Sequence, residues 1–289
     1  MKFIALIVAL LFIQYWGSAQ RMHRDEWFDF SLEKLRSLAL PAPLQLALVI
    51  LAPTLLAFSL LNLAGSWVFG LPALALNIAI LLYSFGRGNY EEAMSAYRKY
   101  CLAGDFEGAY LQAGKLFPQP DGDAGPDDPE ELHRWMRKRL LYMGFERWFA
   151  VIFYFALFGA AGALAYRLCQ LSVARSGAEK TPASRTLHVL DWLPARLLAF
   201  SFTLTGDYLG GREKLISALQ DFAVPNEEVL AEVACAALGA QPWEDSEGGL
   251  AGVQAQAEAY DREMEHLHSM MSRSAVAWVF LLALLVVLV

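Results

Sequence analysis

Residues 156–206 decide how this chain folds. They begin as the apolar run ALFGAAGALAYRL (156–168) and, after a polar bridge, return to apolar sequence as LHVLDWLPARLLAFSFTLTG (187–206). The first run belongs to a stretch that can span a bilayer. The second contains Asp191 and Arg196, and an ionisable group in such surroundings is costly unless it has a partner or lines a polar cavity. We therefore expect any functional site to lie here.

The composition is that of a membrane protein. Hydrophobic residues make up 56% of the 289 residues and charged residues only 18%, and the apolar residues are grouped in long runs. A net charge of -7, without a basic stripe, argues against nucleic acid as a partner. Cys101, Cys169 and Cys235 are widely spaced in the sequence, which predicts free thiols rather than a disulfide framework or a zinc site.

The apolar runs predict an all-α, polytopic transmembrane helical bundle with about five spans and soluble helical segments. The runs lie at 2–16, 44–64, 71–86, about 148–168 and 273–289, with a tight turn at 65–70. A short amphipathic helix from Ser31 to Leu40 is expected on the membrane surface.

A further short helix is predicted from Trp192 to Thr205. Asp191 is expected to cap it, with Pro194 in its first turn, where the missing N–H does no harm. Its length of about 21 Å is short for a hydrocarbon core of about 30 Å. The helix is therefore expected to be re-entrant or buried.

Two polar segments separate the spans. We call 87–147 the basic segment, after its cluster of basic residues between 134 and 139, and 207–272 the acidic segment. Both have helical patterns, and a solvated loop is expected at 118–129. The basic residues between 134 and 139 are expected beside anionic headgroups, with an anionic-substrate patch as the alternative. The chain is thus predicted to divide into the segments 1–86, 87–147, 148–206, 207–272 and 273–289. Five spans put the two polar segments on opposite sides of the membrane, whereas a crossing by 192–205 would put them on the same side, and the sequence leaves both possibilities open.

Three motifs resemble a family of bacterial membrane proteins and the wider superfamily to which it belongs. LHVLDWLPARL (187–197) is similar to the signature stretch of the AmpE family, which is described as modulating β-lactamase induction. AGDFEGA (103–109) and FGAAGALAYR (158–167) resemble the wider superfamily that includes the CobD/CbiB adenosylcobinamide-phosphate synthases. The resemblance implies a multi-pass protein of the bacterial inner membrane, with a sensing or modulating role linked to cell-wall turnover and β-lactamase regulation.

The acidic motifs of the synthases are largely missing from this chain. YMGFERWFA (142–150) retains only Glu146, and Gln170 and Val173 stand where the synthases have an Asn and an Asp. Activation of a carboxylate or binding of a phosphate dianion needs charged or metal-binding groups in place. We therefore expect no catalytic residues, no metal and no cofactor. The alternative is a membrane-embedded synthase that forms an amide bond with an amino-alcohol phosphate.

The polar residues that remain in this region form the predicted ligand site. They are Glu146, Arg147, Tyr166, Arg167, Gln170, His188, Asp191, Trp192 and Arg196. Arg167 and Arg196 are suited to clamp an anionic ligand, and His188 lies within reach of Asp191 for proton transfer. The structural alternative is that Asp191 caps a helix, pairs with an arginine and fixes helix packing. The expected partners are the lipid bilayer and an anionic small molecule or a protein of cell-wall recycling.

Overall fold

The computed structural model describes residues 2–16, 23–38, 40–65, 70–117, 126, 128–176, 181–239 and 250–288. Over these residues the chain is helical and has no strand, which confirms the predicted fold class. The helices are α1 (Lys2–Trp16), α2 (Glu26–Ser37), α3 (Ala42–Gly65), α4 (Leu71–Ser84), α5 (Tyr90–Leu102), α6 (Phe106–Leu116), α7 (Pro129–Gly144), a π-helical turn (Phe145–Phe149), α8 (Ala150–Ala174), α9 (Pro182–Thr205), α10 (Tyr208–Gln220), α11 (Asn226–Leu238) and α12 (Leu250–Leu288). Most of the predicted turn at 65–70 and of the predicted loop at 118–129 lies outside the described residues.

By length and composition alone, three described helical stretches are long and apolar enough to cross a membrane. They are Ala42–Gly65, Pro129–Ala174 and Gly252–Leu284, and the shorter apolar helices are Phe3–Ile13 and Leu71–Ser84. These helices are consistent with a helical membrane bundle.

The chain divides into two compact units. Unit one contains Met1–Gly88, Glu146–Pro194 and Phe280–Val289, and unit two contains Asn89–Phe145 and Ala195–Val279. Unit two therefore combines most of the basic segment with the acidic segment, which are predicted from the sequence as separate parts.

In unit one, α3 and α4 pack against α8, and α2 packs on α3. A buried apolar cluster joins these helices through Phe28, Val49, Ala57, Leu164, Leu168 and Leu171. The sequence predicts α2 from Ser31 to Leu40, but the helix begins at Glu26 and ends at Ser37. The earlier start follows from Phe28, which is buried in the cluster and fixes the first turn.

Helix α8 folds back on itself at Gly159, whose φ of 72° and ψ of -161° are not helical. Only glycine adopts this region readily. A Cβ at Gly162 would lie 2.8 Å from the carbonyl oxygen of Tyr154, although residues eight apart in a straight helix are separated by about 12 Å. The ring centroids of Tyr154 and Tyr166 are 5.1 Å apart. The stretch predicted as one span at about 148–168 is therefore a helical hairpin that turns at Gly159.

Helix α9 is longer than predicted, because it begins at Pro182 instead of near Trp192. At its start, the backbone N–H of Ser184 donates to the Thr181 hydroxyl (3.1 Å) and the backbone N–H of Thr181 donates to the Ser184 hydroxyl (3.0 Å). This reciprocal arrangement caps the helix. Asp191 therefore lies inside α9 and does not cap it, and Pro194 is an interior proline.

In unit two, α5 and α6 are separated at Gly104, which has a φ of 64°. Asp105 caps α6 by accepting a hydrogen bond from the backbone N–H of Gly108 at 2.8 Å, as predicted. Helix α11 packs against α7 and α10. The basic and acidic helices are therefore direct neighbours within this unit.

Candidate functional site

Eight of the nine predicted site residues belong to unit one, and Arg196 belongs to unit two. Five of the eight lie close together at the open end of the α8 hairpin and on α9. We call these five residues the polar cluster: Glu146, Tyr166, Arg167, Gln170 and Asp191. Apart from the half-buried Glu146, all are buried, with exposed fractions between 1% and 6%.

The polar cluster is linked by hydrogen bonds between side chains. The Tyr166 hydroxyl donates to Asp191 Oδ1 at 2.7 Å. Gln170 Nε2 donates to Glu146 Oε2 at 3.1 Å and to the Tyr166 hydroxyl at 2.9 Å. Gln170 Oε1 is buried without a hydrogen-bond partner in the described part of the chain. The cluster thus connects a half-buried carboxylate to a fully buried one, and it retains one buried acceptor without a partner among the described residues.

The two arginines of the predicted clamp are held by different elements. Arg167 Nε donates to the carbonyl oxygen of Ser84 at 2.7 Å, and its Nη2 donates to that of Glu146 at 3.3 Å. In unit two, Arg196 donates to the carbonyl oxygens of Ala218 (3.1 Å) and Asp221 (3.2 Å) and to the Asn226 side chain (2.7 Å). Each arginine therefore stabilises its own unit, and joint binding of one ligand stays a prediction.

The other predicted site residues border the polar cluster in sequence. Arg147 donates to the Gly88 carbonyl oxygen, and its guanidinium lies over the Trp148 ring, 5.3 Å from the centroid. His188 and Trp192 are half-buried on α9, on either side of Asp191 in the sequence. Their predicted ligand contacts stay predictions.

A second buried polar network in unit two was not predicted from the sequence. The Tyr97 hydroxyl lies 3.0 Å from His133 Nδ1, and His133 Nε2 lies 3.1 Å from Glu263 Oε2. Arg137 donates to Glu263 Oε1 at 2.6 Å, and the His133 ring stacks on that of Tyr260 with centroids 3.9 Å apart. We call Tyr97, His133, Arg137 and Glu263 the histidine network. The only local indication of this network in the sequence is that His133 and Arg137 are four residues apart, which places them on the same face of α7.

The neighbouring basic residues of α7 also have protein partners. Lys138 lies 3.5 Å from Glu228, Arg139 lies 3.2 Å from Glu227, and Arg134 pairs with Glu130 one turn earlier. The contact of these basic residues with anionic headgroups stays a prediction.

Burial and hydrogen bonds shift the pKa values of His133 and Glu263, which lie outside the apolar runs at about 148–168 and 273–289. Burial lowers the pKa of His133, so this side chain is neutral at pH 7. Burial alone would raise the pKa of Glu263, but hydrogen bonds from His133 and Arg137 outweigh burial and lower it to about 2. A neutral His133 that accepts from Tyr97 and donates to Glu263 fits both shifts.

These shifts predict a loss of stability in acid. The contribution of Glu263 is present above its ordinary pKa of 4.5 and is lost as the pH falls towards about 2. The lowered pKa of His133 acts in the same direction below 6.5, because the unfolded chain takes up the proton first. Thermal unfolding of purified protein between pH 7 and 3 should show this decline. The decline should be smaller for Glu263→Gln, and an identical profile for both proteins would contradict the assignment.

The polar cluster gives a second prediction, the effect of Tyr166→Phe. Loss of the hydroxyl removes a donor from the buried Asp191 carboxylate, so we expect a destabilisation of about 1–3 kcal/mol. Tyr154→Phe is the matched control, because its hydroxyl donates to the backbone carbonyl of Leu190 at 2.8 Å from a half-buried ring. Thermal unfolding in detergent should show the larger loss for Tyr166→Phe. Equal losses of stability in the two variants would mean that the hydrogen bond from Tyr166 to Asp191 contributes no more than the bond from Tyr154 to the backbone.

Comparison with known proteins agrees with the sequence motifs. A family model described as "Regulatory signalling modulator protein AmpE" matches residues 1–253. The curated protein named "Protein AmpE" from Shigella flexneri is 24% identical over 258 residues, which cover 85% of this chain and 88% of the relative. No solved structure matches the chain. The wider relationship to the CobD/CbiB synthases stays a prediction.

Proposed function

Because the chain belongs to the AmpE family of regulatory signalling modulators, we propose that it modulates a signal from a multi-pass position in the bacterial inner membrane. Its membrane location agrees with the family and with the apolar helices. The proposed role is non-catalytic and linked to cell-wall turnover. The polar cluster is proposed to bind a small anionic ligand.

The observation that carries the proposed ligand site is the bonding of Arg167. A guanidinium has five N–H donors, and in the described contacts one from Nε and one from Nη2 reach backbone carbonyl oxygens. The remaining donors suit a carboxylate or phosphate. The buried Gln170 Oε1 is an acceptor, so the favoured ligand is an anion that also carries a hydroxyl or amine donor.

The contacts within each unit also support a membrane topology. Glu146 and Gln170 lie within 3.1 Å of each other, so both ends of the α8 hairpin are at one level, and the hairpin enters and leaves the apolar layer on one side. Helices α7 and α11 are joined by ion pairs, which supports a common side for residues 87–147 and 207–272. In this proposal α1, α3, α4 and α12 cross the membrane, and the Lys and Arg residues of 87–147 favour the cytoplasm as the common side.

A thermal-stability screen tests the ligand proposal. The detergent-purified protein is heated with muropeptides, amino-alcohol phosphates and nucleotides, each an anion that carries donors. A ligand present at one hundred times its dissociation constant should stabilise the protein by about 2.7 kcal/mol.

Two variants and one control locate the response. Arg167→Gln and Gln170→Leu should lose the stabilisation by ligand. Arg175→Gln should keep it, because Arg175 is an exposed arginine at the end of the same hairpin that pairs with Asp29 at 2.6 Å. A ligand that stabilises all of these proteins equally binds elsewhere, and a screen in which no anion stabilises the wild type contradicts the ligand proposal.

A further inference from the structure

Helix α10 exposes large apolar side chains on one side. Tyr208, Leu209, Ile216 and Leu219 have exposed fractions of 50%, 76%, 41% and 49%. The helix already buries Gly211, Leu215 and Ala218 within unit two. It is therefore apolar on the inner side and also on part of its outer surface, which is uncommon for a helix that faces only water.

The rest of the outer surface of α10 is polar. At 100° per residue, Lys214 and Ser217 point away from Ile216 and Leu219, and both are exposed. Lys214 pairs with Glu232 of α11 at 3.4 Å. The outer surface of α10 thus has a polar part next to α11 and an apolar part. We call the apolar part the apolar side of α10 and define it by Tyr208, Leu209, Ile216 and Leu219.

Helix α9, which precedes α10, also exposes large apolar residues. Leu197, Phe200 and Leu204 are exposed by 39%, 45% and 62% at spacings of three and four residues, which places them on one face of α9. Only Gly206 and Asp207 separate α9 from α10. Exposed apolar residues therefore occur on both helices, which only a two-residue link separates in the sequence.

The junction between α9 and α10 is held by several contacts. The Asp207 N–H donates to the Ala237 carbonyl oxygen at 2.6 Å, and a Cβ at Gly206 would lie only 2.5 Å from the same oxygen. Arg196 of α9 bonds the carbonyl oxygens of Ala218 and Asp221 at the far end of α10. The start of α10 is therefore held against α11, and its far end is bonded to α9.

We propose that the apolar side of α10 lies on the lipid bilayer as an interfacial helix. The four side chains would enter the boundary between headgroups and acyl chains. The exposed Arg212 lies between Leu209 and Ile216 on this side and would extend to the lipid phosphates. The exposed apolar face of α9, which immediately precedes α10 in a chain with apolar helices long enough to cross a membrane, favours the bilayer over a protein partner. This inference does not depend on a ligand in the polar cluster.

Adjacent cysteine positions on α10 test the proposal. Ile216→Cys and Ser217→Cys are each labelled with an environment-sensitive fluorophore, and the full-length protein is reconstituted into nanodiscs that contain phospholipids with a nitroxide on the acyl chain. Protein without an added cysteine corrects for labelling of Cys101, Cys169 and Cys235. The label at 216 should be blue-shifted and quenched several-fold more than the label at 217.

A second pair of cysteine variants controls for a local structural change caused by the substitution of Ile216. Leu209→Cys and Lys214→Cys should repeat the difference near the start of the helix. Equal, weak quenching within both pairs would overturn the proposal. A blue-shifted label at 216 that lipid nitroxides do not quench would also overturn it, because a second copy or another protein would then cover this side.

Discussion

Replacement of Glu263 by alanine is expected to destabilise the protein by about 3–5 kcal/mol, because removal of one partner from a buried ion pair leaves the other charge uncompensated. Glu263 accepts hydrogen bonds from both His133 and Arg137. Its loss leaves the Arg137 charge in a site that is only 18% exposed and removes the acceptor of a His133 side chain that is 3% exposed. Because Glu263 joins α12 to α7, the loss should loosen the contact between these helices. Thermal unfolding and limited proteolysis in detergent measure the two effects.

Glu265→Ala is the matched control for this prediction. Glu265 lies on the same helix and pairs with Arg98 at 3.1 Å, but its side chain is 62% exposed. An exposed ion pair contributes about 0–1 kcal/mol. If both variants lose the same small amount of stability, the histidine network is not a major support of unit two.

Labelling of introduced cysteines by a membrane-impermeant maleimide is expected to depend on the side of the membrane on which each residue lies. A cysteine at Gly65 should be labelled in intact spheroplasts, whereas cysteines at Glu107 and Glu258 should be protected until the membrane is opened. Glu107 on α6 and Glu258 on α12 are exposed residues of unit two, and a Cβ at Gly65 meets no atom within 4 Å. The expected contrast is all or none, because an intact bilayer excludes the reagent.

The labelling result distinguishes the two topologies that the sequence allows. A straight span at 148–168 without a crossing by α9 would place Glu258 outside and Glu107 inside. Labelling of Glu258→Cys in intact spheroplasts would therefore contradict the re-entrant hairpin. Labelling of every position after lysis is the control for reactivity, and the parent protein corrects for the native cysteines.

Local features of this fold could be predicted from the sequence, because their causes lie within a few residues. The apolar runs predict helices, and Asp105 caps α6 as predicted because a capping bond spans only three residues. The predicted start of α9 was wrong because two signals compete. Asp191 with Pro194 has the pattern of a helix start, but Thr181 with Pro182 and Ser184 has the same pattern, and the structure uses the second.

The fold-back and the histidine network could not be predicted, because they depend on distant residues. Gly159 stands in the continuous apolar run FGAAGALA (158–165), and no polar residue there marks a turn. His133 is 36 residues from Tyr97 and 130 from Glu263, so no local pattern connects them. All five residues of the polar cluster are among the predicted site residues, because they are polar groups in or beside apolar sequence. Which of the nine predicted residues lie together could not be predicted, because that depends on the fold-back of α8.

The bonding of Arg167 has a consequence for biosynthesis. A guanidinium cannot enter the apolar layer cheaply until its acceptors are in place, and one of them is the carbonyl oxygen of Ser84 at the end of α4. The other belongs to Glu146, at the start of the same hairpin. Both residues leave the ribosome before Arg167, because chains are made from the N-terminus. The order of synthesis therefore supplies the acceptors first, and we expect the second arm of the hairpin to insert only after α4 and the first arm have assembled.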